Sequence, residues 1–151
     1  MREALHFRDG ESITLGYVSD VYELLRAIDE TLPKDAVLYL EGTTTALDVR
    51  QFLEERQASE RPAVAAGTFR PEPEHFHLPL SGTNLAELRA LVAEGHAEPE
   101  LTDHLVVYRG DRVLLSAHDA GYGYVELARS LAGDVIDRFR AILGESLHPS
   151  E

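Results

Sequence analysis

The chain has 151 residues, 44% apolar and 27% charged, with 27 acidic against 14 basic side chains, a net charge of −13 and no cysteine. Such a length suits one domain with a proper core, and the missing thiols exclude disulfide scaffolds, thiolate zinc sites and cysteine nucleophiles. A surface this negative repels phosphate backbones and anionic headgroups, which argues against nucleic-acid and membrane partners and leaves basic proteins and cationic ligands compatible.

Ala4-Leu5-His6-Phe7-Arg8 and Glu11-Ser12-Ile13-Thr14-Leu15 flank Asp9-Gly10. An Asp-Gly pair between such segments predicts a hairpin, because its turn needs positive φ. Ser19 or Asp20 then caps a helix to about Leu32, with Val21, Leu24, Leu25, Ile28 and Leu32 on one face and Pro33 beyond its end. Ala36-Val37-Leu38-Tyr39-Leu40 is apolar throughout and suits a strand covered on both faces.

Glu41-Gly42-Thr43-Thr44-Thr45 leads into a helix through Leu47, Phe52 and Leu53. A helix entry of this kind can bind anions, yet no lysine or second glycine completes a phosphate loop and Glu41 would repel phosphate. A threonine cap and a glycine-relieved turn explain it better. Ser59 to Pro73, with Pro62, Gly67 and Pro71, is irregular, and Val64 is the residue most suited to a short strand.

Pro73 to Ala120 carries five of the seven histidines. Glu74 to Leu80 alternates as a strand, with His75 and His77 on one face and Phe76, Leu78 and Leu80 on the other. Ser81-Gly82-Thr83-Asn84 opens a helix to about Glu94, whose buried stripe is Leu85, Leu88, Leu91 and Val92, with Gly95 at its end. Asp103 to Tyr108 and Val113 to His118 form a hairpin about Gly110-Asp111. A two-residue turn there sets Tyr108 opposite Val113, Val106 opposite Leu115, His104 opposite Ala117 and Asp103 opposite His118.

After Gly121-Tyr122-Gly123, a long amphipathic helix is expected from about Tyr124 to Leu143. Its apolar face would be Val125, Ala128, Leu131, Ala132, Val135, Ile136, Phe139 and Leu143, with Gly144 as its stop and residues 145–151 as a tail. The fold class that follows is α/β, of α+β-like character. A single domain over 1–144 would hold a mixed β-sheet with hairpins, packed on three to four helices.

Two kinds of chemistry fit these residues. A carboxylate opposite an imidazole raises its pKa and fixes its tautomer, so Asp103 and His118 are the catalytic candidates. Ser116 or Ser81 would serve as nucleophile in a hydrolase-like version, although no Gly-x-Ser-x-Gly elbow exists. His75, His77, His118 and Asp119 could converge at one sheet edge to hold a divalent metal as cofactor, since imidazoles two apart on a strand lie side by side. Solvated, hydrogen-bonded strand-edge histidines are the alternative.

The other class is a binding protein that uses its acidity to engage a basic partner. Tyr122 and Tyr124 would then line a pocket or a homodimer contact, the alternative being that Tyr124 packs on the hairpin. No apolar run approaches the roughly 20 residues of a membrane span, and the first residues show no apolar signal core, so the cytoplasm is the expected location. Thirteen of the 14 basic residues are arginine, the usage of a GC-rich bacterial genome. A small acidic cytoplasmic bacterial binding or regulatory protein is the expectation, with a metal-dependent, hydrolase-like enzyme as the alternative.

Overall fold

In chain order the elements are β1 (Ser12–Val18), α1 (Val21–Thr31), β2 (Val37–Glu41), α2 (Leu47–Glu55), β3 (His75–Pro79), α3 (Asn84–Ala93), β4 (His104–Arg109), β5 (Arg112–His118), β6 (Tyr124–Ala128), α4 (Gly133–Leu143), a short 3-10 helix (Gly144–Ser146) and β7 (Leu147–His148). This computed structural model describes residues 4–41, 47–64, 75–93, 104–118 and 124–149, the side chains of Leu47 and His118 lying outside that description. The expected threonine turn at 42–45, the connection at 94–100, Asp103, Asp119 and Tyr122 also lie outside it. Among the described residues no helix is long and apolar enough to cross a membrane.

The strands form one seven-stranded sheet in the order β3-β2-β4-β5-β6-β1-β7. Its ladders are all antiparallel, and parallel pairing among the described residues is confined to the bridge Leu5–Val64. The α/β class with hairpins, and with four α-helices among the described residues, is therefore as expected. Alternation sends Leu38 and Leu40 of β2, Phe76 and Leu78 of β3, Leu105 and Val107 of β4, and Val125 and Leu127 of β6 into one core. The same core takes Leu24, Leu25 and Ile28 of α1, Val49, Phe52 and Leu53 of α2, Leu85 and Leu88 of α3, and Phe139 and Leu143 of α4. All four helices thus lie on one face. Each such side chain, when fully buried, contributes about 1.5–3 kcal/mol.

Local chemistry sets the helix ends. Asp20 accepts hydrogen bonds from the backbone amides of Tyr22 (2.9 Å) and Glu23 (3.3 Å), satisfying donors that the first turn of α1 leaves open. Gly144, at φ +50°, closes α4 in a conformation that costs other residues strain.

Four expectations change. The turn at Asp9-Gly10 exists, with the amide of Glu11 donating to the Arg8 carbonyl at 3.0 Å and Gly10 at φ +83°. Residues 4–8, however, do not pair with β1; Leu5 bridges Val64. The expected helix from Tyr124 is a strand to Ala128, a turn at Arg129-Ser130, and only then α4. The segment expected as a tail from 145 holds the 3-10 helix and β7, which pairs with β1. Finally, β5 carries a bulge. Tyr108 faces Val113 as expected, but Val107 then faces Leu115, and from there the register is one step off.

Candidate functional site on the helix-free face of the sheet

The second face of the sheet carries a small apolar patch of Tyr39, Val106, Tyr108 and Val113, covered by Leu5, Phe7 and Val64. Beside that patch the face is polar and aromatic, and the cross-strand register aligns it into a row. His75 lies opposite Glu41, Glu41 opposite His104, and His104 opposite the backbone of His118. One step beyond the pair Ala117–Val125 brings position 118 level with Tyr124, which lies opposite Tyr17, which lies opposite His148. The row crosses all seven strands.

Two bulges make this row. An extra residue at Leu114 shifts β5 by one step, so that His118 rather than Ala117 meets His104. A second irregularity, between Thr14 and Gly16, places Leu15 as the extra residue of β1 and sets Tyr17 opposite Tyr124. A bulge changes which residues share a face from that point onward.

At the β3 edge, the backbone of His77 turns away from β2. Its amide donates to Gln57 Oε1 at 2.7 Å, and its carbonyl accepts from the amide of Ala58 at 2.8 Å. His77 and Tyr39 therefore form a non-hydrogen-bonded pair, the closer of the two antiparallel spacings, and their rings meet edge to face with centroids 5.0 Å apart. The imidazole is 2% exposed, and its Nδ1 shares a hydrogen bond of 2.8 Å with the Tyr108 hydroxyl. The Tyr39 hydroxyl donates to Glu41 Oε1 at 2.6 Å. Glu41 is itself buried.

Burial sets the protonation of this group. It lowers the His77 imidazole to about 4, with the nearby His75 and Arg61 adding to the effect. It raises the Tyr108 phenol to about 12, with Glu60 adding. Burial, together with the hydrogen bond to Glu41, also pushes the Tyr39 phenol well above its ordinary value. All three stay uncharged at neutral pH. At neutral pH His77 is therefore a neutral, buried ring that packs edge to face on Tyr39 and hydrogen-bonds the Tyr108 hydroxyl.

His75 is exposed, on the same face as the buried His77 as alternation predicts, with ring centroids 6.1 Å apart at 88°. Among the described residues, no three His, Asp or Glu side chains are arranged to hold a metal ion. The proposed ligand Asp119 and the side chain of His118 lie outside the described residues. The proposed catalytic pair Asp103 and His118 rested on a direct cross-strand pairing, and the bulge gives that place to His104. Asp103 itself lies outside the described residues. Ser116 sits on this face opposite Val106 and Glu126, and Ser81 is an exposed bend before α3.

The far end of the row is an aromatic corner that periodicity alone does not find. Tyr124 is 55% and Tyr17 37% exposed, the exposed large hydrophobic side chains among the described residues. The Tyr17 ring stacks on that of His148, with centroids 4.4 Å apart at 12°. Gly16 permits this approach: a Cβ there would lie 2.2 Å from the His148 carbonyl oxygen, and its φ is +136°. The alternation of Tyr124 and Glu126 against Val125 and Leu127 was the available signal, and the apolar positions around it also fit a helix.

Comparison with protein-family models, with characterised proteins and with solved structures finds no match.

Proposed function

We propose that this is a small acidic binding or regulatory protein of the bacterial cytoplasm that engages a basic protein partner through the helix-free face of its sheet. The observation that carries this reading is the aromatic corner, where Tyr17 and Tyr124 are exposed side by side in the polar row. Exposed tyrosines bring large contact area at low entropic cost and are enriched at interfaces. Their ring faces attract the guanidinium and ammonium groups of a basic surface. The net charge of −13 would steer such a partner and raise its association rate at low salt.

Affinity capture from the native host tests this at low and moderate salt, with the wild type beside a Tyr17→Ser/Tyr124→Ser double variant. A basic protein enriched by the wild type and lost with the double variant supports the proposal. Enrichment of nothing, or equal enrichment by both, removes it.

A further inference from the structure

Next to the aromatic corner, a cavity of about 120 Å³ opens between the N-terminal segment and β4, β5 and β6. Leu5, Phe7, Val106 and Val113 wall it, while Ser116, Glu126 and His6 supply its polar lining. The space has room for several water molecules, or for the end of one unbranched side chain. We infer that this cavity is an anchor site for a single primary ammonium group, that of a lysine side chain on the basic partner.

The donor and acceptor inventory carries the inference. Glu126 receives one hydrogen bond, from Ser12 Oγ to its Oε1 at 3.3 Å, which leaves its second oxygen to accept another. His6 Nδ1 lies 2.8 Å from the Phe7 carbonyl. A carbonyl only accepts, so Nδ1 carries a proton, which makes Nε2 the acceptor of the ring in its neutral form. The Ser116 hydroxyl can accept as well. Among the described residues the lining thus offers three acceptors, one of them a carboxylate, and no lysine or arginine. An ammonium has three N–H donors and no acceptor, which complements that set. Lysine carries such an ammonium on a long unbranched stem, which buries readily while its charged head keeps polar contacts.

This inference rests on the proposal of a basic partner at the same face, and its test does not need that partner. Butylammonium and butyltrimethylammonium share charge and chain, but only the first carries N–H donors. Each is titrated into isotope-labelled full-length protein while backbone amide shifts are followed. Butylammonium should shift the amides of Leu5, Phe7, Ser116 and Glu126, and butyltrimethylammonium should leave them still. Glu126→Gln should weaken the butylammonium response about tenfold, the loss expected when a charged hydrogen bond becomes neutral.

No response, an equal response to both cations, or a response unchanged in Glu126→Gln overturns the inference. Should Glu126→Gln fail to fold, a response unchanged in Ser116→Ala overturns it instead, and a weakened one supports it. Amine binding without any captured partner would keep the pocket and remove the partner. Partner capture unaffected by Glu126→Gln would do the reverse.

Discussion

Acidification acts on the best-defined part of the helix-free face, the buried imidazole of His77. In the unfolded chain this group titrates near its ordinary 6.5, and burial lowers it to about 4 in the folded protein. Between those values the unfolded state binds more protons, so stability falls as pH drops through this window and is complete above it. The contribution lost is about 1.4 kcal/mol at about pH 5.5 and about 3 kcal/mol at about pH 4. His77→Gln retains a hydrogen-bonding side chain toward Tyr108 but cannot titrate. Urea denaturation of both proteins across a pH series should show the wild type losing these amounts beyond what the variant loses, with unchanged urea slopes. Parallel pH profiles for the two proteins would refute the account of His77 as a neutral, desolvated ring.

Substitutions at three further positions check other parts of the fold. Gly16→Ala combines a φ of +136° with a Cβ 2.2 Å from the His148 carbonyl oxygen, so it should cost about 2–4 kcal/mol by urea denaturation. Gly110→Ala, at φ +63° with nothing within 4 Å, should cost about 1 kcal/mol; equal losses for both would contradict the packing of β7 on β1. Asp20→Ala removes the cap of α1 and should lower stability by about 1 kcal/mol, with Asp20→Asn losing much less. A thermal shift for Asp20→Ala no larger than that for Asp20→Asn would count against the cap.

The sequence makes α1 legible because three independent signals agree there: the Asp20 cap, the spacing of Leu24, Leu25 and Ile28, and Pro33 beyond the end. The strand pair β4–β5 is legible to its turn and no further. Val113, Leu114 and Leu115 are all apolar and all buried, so alternation cannot reveal which of them is the extra residue of a bulge. That one residue decides whether Asp103 or His104 meets His118.

At β6 the failure has another cause. Val125 and Ala128 run on into Leu131, Ala132 and Val135 at helical spacing, and the turn between strand and helix, Arg129-Ser130, contains neither glycine nor proline. β7 has two residues, too few to show any period. The bridge from Leu5 to Val64 spans most of the N-terminal half, and no local pattern signals such a distant partner. His75 and His77 share one face as alternation predicts. Nothing local signals, however, that Gln57 and Ala58 bond the His77 backbone at the strand edge, or that His77 is buried while His75 is exposed.

The most direct test of the binding face is a residue-resolved map. Backbone amide shifts of the full chain, titrated with a lysine-rich peptide at low and moderate salt, locate the contact without an identified partner. The largest shifts should fall on Thr14–Tyr17, Ser116, Tyr124–Glu126 and His148, persist at moderate salt, and vanish in the Tyr17→Ser/Tyr124→Ser variant. Shifts centred on α1 and α4, or spread evenly over every acidic side chain and abolished by salt, would show that the acidity serves solubility and that this face binds nothing.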